Sequence, residues 1–337
     1  MPHFSKKIIF LIAALLVAIG LIVAAYFLNF NQPMDWGVTF SWPYAQNELG
    51  LDPREVYLAI LDDLKVDRIR LSAYWNDVEF QKGKYDFFNL DWQMAEAQKR
   101  QVKVILAVGR RLPRWPECHD PSWLSDLNPI EAEEKQLEFV ETVIKHYKNN
   151  DNLLYWQIEN EPYLSTFGIC PPLNPDLFKA EVSLAKNLSD KPVLVTDSGE
   201  LSTWWPISHS GGDILGTTLY RVVYNPTIGY FRWFTPPVFY WARVQLIKSI
   251  SPIKKVIVAE LQGESWHKAD KNLATMTLAE HNESLSLNQF KKNISFARRA
   301  GFDEAYLWGA EWWYLMKTKQ GYSGYWDEAK KLWSAEN

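Results

Sequence analysis

Two glutamates each follow a short apolar run of this chain. Glu161 comes after the run Leu153–Ile158, which is long enough for one buried strand and is closed by Pro162, because proline cannot continue a central ladder. Glu260 ends the apolar run 256–259. Two facing carboxyl groups can cleave a glycosidic bond with retention, since one protonates the leaving oxygen while the other attacks the anomeric carbon. The alternatives are a buried strand that ends in a solvated acidic turn at Glu161 and an ion-paired surface glutamate at Glu260.

The composition favours a carbohydrate ligand and gives no reason to expect a nucleic acid. The chain of 337 residues carries 17 Trp, 16 Tyr and 17 Phe, and many of these rings fall in predicted loops, where sugar rings can stack on them. Core packing is the competing explanation for the aromatic residues. The net charge of −4 does not indicate a nucleic-acid partner.

Eight apolar runs, most of them followed by a helical pattern, predict how the two glutamates are positioned. The predicted strands are 37–40, 68–71, 102–108, 153–158, 193–196, 214–219, 256–259 and 304–307. Strands that alternate with helices pair in parallel, and eight such units predict a closed (β/α)₈ barrel, whose strands deliver both glutamates to one mouth. An open doubly wound sheet is the second choice, but no glycine-rich phosphate loop follows the first strand.

The chain resembles the retaining glycoside hydrolases of clan A, the broad superfamily of cellulases, mannanases and β-galactosidases. Asn160-Glu161-Pro162 is similar to the acid/base motif of these barrels, and residues 257–263 resemble their nucleophile segment at strand seven. The resemblance covers about residues 35–315. It implies that Glu161 is the acid/base, Glu260 the nucleophile, and Asn160 a substrate-binding residue.

The same resemblance implies further residues that contact the substrate or the nucleophile. Arg70 ends the second strand, where these enzymes keep an arginine close to the nucleophile, and Tyr220 follows the sixth, where a tyrosine or histidine donates to it. Trp308 follows the eighth strand, where an aromatic ring forms the floor of the sugar site. Trp75 and Trp115 are predicted at outer sugar subsites, on the loops after strands two and three.

Some features of the chain depart from this family pattern. No histidine ends strand three or six, and the strand-three loop 110–119 is peculiar to this chain, with arginines that either contact the substrate or pair with surface carboxylates. Glu159 and Glu264 are the nearest competitors for the two catalytic roles. The few histidines and two cysteines show no zinc spacing, so neither a metal nor another cofactor is expected.

The N-terminus predicts a membrane anchor. Residues 8–30 contain no charge and suffice as a helix to cross a bilayer, and His3, Lys6 and Lys7 before them predict that residues 1–7 stay cytoplasmic. Residues 31–337 would then form one extracytoplasmic catalytic domain. The alternative is a signal peptide cleaved near Ala25, which would release a secreted protein. The sequence does not predict the oligomeric state.

Only two cysteines are present, and both fall in predicted loops of the barrel mouth. Cys118 follows strand three and Cys170 follows strand four, so the two loops share one rim. Because an extracytoplasmic space is often oxidising, a disulfide between them is expected. Two unrelated free thiols are the alternative.

The sequence therefore predicts a retaining glycoside hydrolase that cleaves β-glycosidic bonds by a two-glutamate double displacement. A catalytically silent carbohydrate-binding barrel of the cell envelope is the second hypothesis, and a structural envelope protein is the third. The presence of both Glu161 and Glu260 argues against these two hypotheses. The sequence does not indicate which sugar is bound or whether cleavage is endo or exo.

Overall fold

The computed structural model describes residues 6–268 and 271–334 and contains a closed barrel of eight parallel strands. The predicted (β/α)₈ barrel is confirmed. Around the ring the strands are ordered β1-β10-β9-β6-β5-β4-β3-β2, and β7 and β8 form a separate antiparallel hairpin. The strands are β1 Asp35–Thr39, β2 Arg68–Ala73, β3 Lys103–Val108, β4 Leu153–Ile158, β5 Val193–Asp197, β6 Ile214–Leu219, β7 Val222–Asn225, β8 Gly229–Arg232, β9 Lys255–Gln262 and β10 Glu304–Trp308.

Helices follow the strands and cover the outside of the barrel. They are α1 Lys6–Phe27, α2 Pro53–Ala59, α3 Trp75–Val78, α4 Phe88–Lys99, α5 Pro129–Tyr147, α6 Pro175–Leu188, α7 Trp205–Ser208, α8 Pro237–Ile250, α9 Leu278–His281, α10 Leu287–Arg299, α11 Ala310–Thr318 and α12 Gly324–Lys330. Their starts are fixed by local chemistry. The Asp52 side chain caps α2, and proline takes the first position of the helix.

The barrel interior is filled by side chains at its lower end, away from the predicted mouth. Ile105, Tyr155, Leu194, Ile257 and Tyr306 are among the buried residues that pack together there. Beneath them Glu304 accepts hydrogen bonds from several side chains, those of Arg68, Lys255, Tyr155 and Tyr306. This end of the barrel holds the fold together and leaves the carboxyl ends of the strands for chemistry.

A register shift in β9 determines where Glu260 points. Thr217 pairs with Val258, but the next residue of β6, Thr218, pairs with Glu260, so Ala259 is an extra residue in the ladder. Strict alternation from the inward-facing Ile257 would turn Glu260 outward, towards the helices. The bulge reverses the alternation and turns Glu260 into the barrel. Strand β9 also continues to Gln262, so Glu260 does not end the strand as predicted.

The chain leaves β4 through a distorted turn. Glu159 and Glu161 both have positive φ, 55° and 45°, which side chains other than glycine rarely adopt. This turn breaks the alternation of the strand, so Glu159 points outside the barrel while Asn160 points into it. Such distorted positions cost free energy and occur at functional sites.

Helix α1 lies before the barrel, and Phe30 stacks on Trp241 of α8 with ring centroids 4.4 Å apart. Residues 1–5, most of the predicted cytoplasmic segment, lie outside the described residues, as do the side chains of 6–9, 18–19 and 21–23. Among the described residues no helix is long and apolar enough to cross a membrane, so the predicted anchor at 8–30 is not supported there.

Candidate active site

Glu260 is held at the barrel mouth by one donor on each carboxylate oxygen. Arg70 Nη1 lies 2.9 Å from Oε1, and the Tyr220 hydroxyl donates to Oε2 over 3.1 Å. Only 5% of Glu260 is exposed. Arg70 places a positive charge against one oxygen of this carboxyl group, and Tyr220 fixes the position of the other. The bulge in β9 is what brings the side chain to these partners.

Arg70 connects the two halves of the site. Its guanidinium is fully buried and also donates to Gln157 Oε1 over 2.7 Å and to Asn160 Oδ1 over 2.8 Å. It therefore links β2, the end of β4 and β9 through one charged group. Thr196 of β5 donates to the same Asn160 oxygen over 3.3 Å. These two donors hold the Asn160 side-chain oxygen, so the Nδ2 group on the other side of the amide points towards Glu117.

Glu161 lies in a different environment from Glu260. Its backbone N–H donates to Thr196 Oγ1 over 2.9 Å, and the residue is only 7% exposed. Among the described residues its Oε1 has no hydrogen-bond partner. Burial first, and then the negative charges of Glu260 and Glu117, raise the pKa of Glu161 well above its ordinary value. Burial and like charge both favour the neutral form of the Glu161 carboxyl group.

A third carboxyl group, Glu117 of the strand-three loop, was missed by the sequence analysis. Asn160 Nδ2 donates to Glu117 Oε2 over 3.2 Å. Burial and the charge of Glu260 raise the pKa of Glu117 to about 8. Nothing in the sequence separates Glu117 from a surface glutamate, because the loop fold alone turns it inward. Within the described residues no group of three or more His, Cys, Asp or Glu side chains is arranged to hold a metal.

The two competing glutamates have structural partners of their own. Glu159 accepts from the backbone N–H groups of Arg110 and Arg111, over 2.7 and 2.6 Å, and from Gln136 of α5, outside the barrel. Glu264 accepts from Arg114 Nη1 over 2.6 Å. Glu159 thus fixes the start of the strand-three loop, and Glu264 forms an ion pair with Arg114 of the same loop.

The structure corrects the sequence prediction for Trp75. Trp75 is fully buried, stacks on Phe139 of α5 with centroids 5.2 Å apart, and donates from its indole nitrogen to Glu79. It cannot reach an outer sugar subsite, because α3 starts at this residue and turns the ring towards the helix layer. Trp75 is therefore a core residue. The substrate role predicted for it was wrong.

Trp308 lies at the mouth, but its ring does not face solvent as predicted. The residue is 9% exposed, and the Arg114 guanidinium lies 4.1 Å from its ring centroid. Its indole nitrogen donates to Glu264 Oε1 over 3.2 Å. Arginine readily stacks on a tryptophan face, and here it occupies a face that the sequence analysis assigned to a sugar.

Trp115 is on the surface of the mouth and begins a row of aromatic contacts. It is 62% exposed and lies edge-on to Phe167, with centroids 5.8 Å apart. Phe167 in turn lies 6.2 Å from Trp266, and Trp266 lies 5.4 Å from Tyr220. The row thus extends from the strand-three loop to the tyrosine that contacts Glu260. Phe167 and Trp266 were not predicted from the sequence as site residues.

The predicted disulfide is confirmed. Cys118 and Cys170 are bonded, with Cα atoms 5.3 Å apart, and the bridge joins the loops after β3 and β4. The two strands are neighbours in the barrel, so the loops that follow them share the rim. The bridge fixes the loop that carries Glu117 and Arg114.

No protein-family model matches this chain, and no curated protein matches it. Solved structures do match it. GH5_18 from Streptomyces cattleya in complex with GlcNAc is 13% identical with a TM-score of 0.58, covering 82% of this chain and 71% of its own. A GH10 endo-β-1,4-xylanase from Gloeophyllum trabeum is 14% identical with a TM-score of 0.54, covering 85% of each chain. An intracellular xylanase from Thermoanaerobacterium saccharolyticum is 14% identical with a TM-score of 0.55, covering 83% and 87%. The chain therefore has the fold of clan A glycoside hydrolases.

Proposed function

We propose that this barrel is a retaining glycoside hydrolase that cleaves β-glycosidic bonds of an oligo- or polysaccharide. The observation that carries the proposal is the contrast between its two mouth glutamates. Glu260 has a buried arginine and a tyrosine hydroxyl on its two oxygens, whereas burial and like charge raise the pKa of Glu161. Acid-assisted nucleophilic displacement requires one carboxyl group that keeps a proton beside another that attacks, and burial and like charge favour the proton on Glu161.

The proposed reaction has two steps. In the first, Glu260 attacks the anomeric carbon and forms an ester bond to it, while Glu161 transfers its proton to the glycosidic oxygen as the bond to the leaving group breaks. In the second, the ionised Glu161 takes a proton from a water molecule, whose oxygen attacks the anomeric carbon and releases Glu260. Each step inverts the anomeric carbon, so the product keeps the β configuration. A carboxyl separation of about 5–5.5 Å remains the expectation for such a pair.

The neighbours of the pair support roles in this reaction. Arg70 and Tyr220 balance the charge of Glu260 before attack and after release. Asn160, held by Arg70 and Thr196, directs its Nδ2 group towards Glu117 and presents it to a sugar hydroxyl. Glu161 Oε1, which has no partner among the described residues, is available to the leaving oxygen.

The aromatic row supports a binding site for the leaving group. Trp115 and Phe167 come from the loops after β3 and β4, on the side of the mouth where Glu161 lies, and Trp266 of the loop after β9 continues the row. Sugar rings pack against aromatic faces of this kind, so we assign the leaving-group sugars to this row. The ligands named for the similar structures, such as GlcNAc, are carbohydrates, which agrees with this class of substrate.

An extracytoplasmic location is proposed with this activity. The Cys118–Cys170 disulfide supports it, since such bonds persist in oxidising compartments and are rare in the cytosol. Polymeric carbohydrate substrates are also found mainly outside the cytosol. Whether residues 8–30 anchor the protein or are cleaved as a signal peptide stays a prediction of the sequence.

A substrate screen tests the proposal. The purified protein is assayed on aryl β-glycosides of several sugars and on β-glucan, mannan and galactan, with Glu260→Ala as the control. We expect hydrolysis of at least one substrate, its loss in Glu260→Ala, and recovery on the aryl glycoside when azide or formate replaces the missing carboxylate. A folded wild-type protein that binds a sugar but hydrolyses none of these substrates would support the silent carbohydrate-binding barrel instead.

A further inference from the structure

We infer that the enzyme is exo-acting and removes a single sugar from the non-reducing end of its substrate, because the protein itself fills the glycone side of the mouth. This inference rests on the proposed glycosidase function. It goes beyond that function by specifying which part of a saccharide chain the site accepts. The residue that carries it is Arg114 of the strand-three loop.

Arg114 projects from a short hairpin into the mouth. Arg111 and Cys118 form an antiparallel bridge at the base of the hairpin, and Leu112 N–H donates to Glu117 C=O over 2.7 Å. At the tip, Arg114 has φ 84° and its carbonyl accepts from Glu117 N–H over 2.8 Å. This left-handed residue turns the chain so that the guanidinium points across the mouth instead of out to solvent.

The Arg114 guanidinium is enclosed by two rings and two carboxylates. It lies 3.5 Å from the ring centroid of Tyr44 and 4.1 Å from that of Trp308. Its nitrogens pair with Glu264 Oε1 at 2.6 Å and with Glu311 Oε2 at 3.2 Å. We call these five residues, Tyr44, Arg114, Glu264, Trp308 and Glu311, the Arg114 wall. With two carboxylates on one guanidinium, the wall carries no free positive charge that would attract an anionic sugar.

Hydrogen bonds extend the wall over the ends of β1 and β2. Ser41, just after β1, donates its N–H to Glu311 Oε1 over 2.6 Å. The hydroxyl of Tyr74, just after β2, lies 2.8 Å from Ser41 Oγ and 2.9 Å from the carbonyl oxygen of Pro113. Protein atoms therefore close the mouth above β1, β2 and β10.

The hairpin that carries the Arg114 wall is fixed to the loop after β4 by a disulfide and by hydrogen bonds. The Cys118–Cys170 disulfide joins its hairpin to the loop after β4. Ile169 N–H donates to the carbonyl of Pro116 over 2.9 Å, and Arg111 Nη2 donates to the carbonyl of Phe167 over 2.7 Å. Displacing Arg114 would also leave the buried Glu264 and Glu311 without the cation that pairs with both of them, which is strongly unfavourable.

The position of the proton donor, Glu161, indicates which end of the substrate lies against the Arg114 wall. In the ring of eight strands β4 lies opposite β10, four strands away in either direction. Glu161 follows β4 and protonates the leaving oxygen, so the leaving group occupies the β4 side. The sugar bonded to Glu260 then extends towards β10 and β1, where the Arg114 wall ends the site. The Arg114 wall therefore stands where a sugar preceding the one under attack would have to lie.

The test is the product pattern at low conversion on a β-linked oligosaccharide series labelled at the reducing end, using the sugar that the aryl glycoside screen identifies. The wild-type protein should release only monosaccharide and shorten the labelled chain by one unit at a time, without an early fall in polymer viscosity. Arg114→Ala should add disaccharide and trisaccharide products. Arg110→Ala, whose guanidinium pairs with Asp120 at the surface, is the matched control and should keep the wild-type pattern.

The outcomes separate this inference from the proposed function. Internal cleavage by the wild-type protein, seen as several labelled lengths at once and a rapid loss of viscosity, would overturn exo action while leaving the glycosidase function intact. No hydrolysis of any substrate would overturn the proposed function itself. If Arg114→Ala does not fold, the product pattern of the wild-type protein still distinguishes exo from internal cleavage, because that measurement needs no variant.

Discussion

Arg70 of β2 donates to Glu260 of β9 across the top of the barrel, with Nη1 and Oε1 2.9 Å apart and both residues almost completely buried. A buried guanidinium and carboxylate balance each other's charge, and removing one partner leaves the other uncompensated. Gln157 and Asn160 occupy further donors of Arg70, so the arginine also holds the end of β4 in register with β9. The pair is therefore both a structural connection and the charge environment of the proposed nucleophile.

Replacement of Arg70 by alanine should reduce stability and activity together. Among the described residues, the variant leaves the buried Glu260 carboxylate with the Tyr220 hydroxyl as its remaining donor, so we expect a loss of about 3–5 kcal/mol in the free energy of unfolding. Chemical denaturation measures it. Arg68→Ala is a comparison at the same strand, because Arg68 pairs with Glu304 at the other end of the barrel and should lower stability without altering the pH dependence of activity.

Glu161→Gln should reveal the role of the proton donor. Loss of general acid catalysis is expected to lower kcat/KM by about 10²–10⁴-fold on substrates with poor leaving groups, and much less on dinitrophenyl glycosides, which leave without a proton. The pKa of Glu161 is raised by burial and by Glu260, so the basic limb of the wild-type pH profile should lie above the ordinary range of a carboxyl group. That limb should vanish in the variant. Equal losses on both substrate types would contradict the assignment.

Glu117→Gln should shift the pH profile without removing activity. The charge of ionised Glu117 contributes to the raised pKa of Glu161, so a neutral glutamine should lower that pKa and move the basic limb to lower pH. Glutamine retains an oxygen for Asn160 Nδ2. A pH profile of kcat/KM measures the shift, and a limb that moves to higher pH or stays in place would show that Glu117 does not act on Glu161.

The same variant should change how stability depends on pH. The pKa of Glu117 is raised from 4.5 to about 8 in the folded protein, so between these values the folded state holds a proton that the unfolded state has lost. Its contribution to stability is present below pH 4.5 and is lost as pH rises to about 8. The free energy of unfolding of Glu117→Gln should therefore decline less steeply with pH over this window than that of the wild type.

The disulfide should stabilise the protein and keep the Arg114 hairpin in place. The Cys118→Ser and Cys170→Ser double variant opens a loop with a sequence separation of 52 residues. The chain-entropy model predicts a loss of about 4 kcal/mol in the free energy of unfolding. Denaturation with and without reductant tests this, since reductant should lower the midpoint of the wild type and leave that of the variant unchanged.

The sequence predicted the barrel and both glutamates for identifiable reasons. Each strand is a short run of apolar residues. Pro162 marks the end of one strand, and the caps Asp52 and Asn128 mark the starts of two helices. These are local signals, and they carry the fold. The inward direction of Glu260 came only from the family resemblance, since the bulge at Ala259 reverses the alternation that periodicity assumes.

The remaining features of the site depend on contacts that are remote in sequence. Glu117 and Arg114 reach the mouth through a hairpin and a disulfide, and no local pattern distinguishes their side chains from surface charges. The prediction that Trp75 binds a sugar was wrong because its position just after a strand leaves two directions open. An aromatic residue there can turn either to the mouth or to the helix layer. Its contact with Phe139 of α5 decides the direction.

Trapping the covalent intermediate tests the central claim most directly. The wild-type protein is incubated with a panel of dinitrophenyl 2-deoxy-2-fluoro-β-glycosides, which form the glycosyl-enzyme quickly and release it slowly, and the modified peptide is located by mass spectrometry. We predict one sugar per chain, on Glu260, and none on Glu260→Ala. A label on Glu161, Glu117 or Glu264, or active hydrolysis in which the first product seen by NMR is the α-anomer, would contradict a retaining mechanism with Glu260 as the nucleophile.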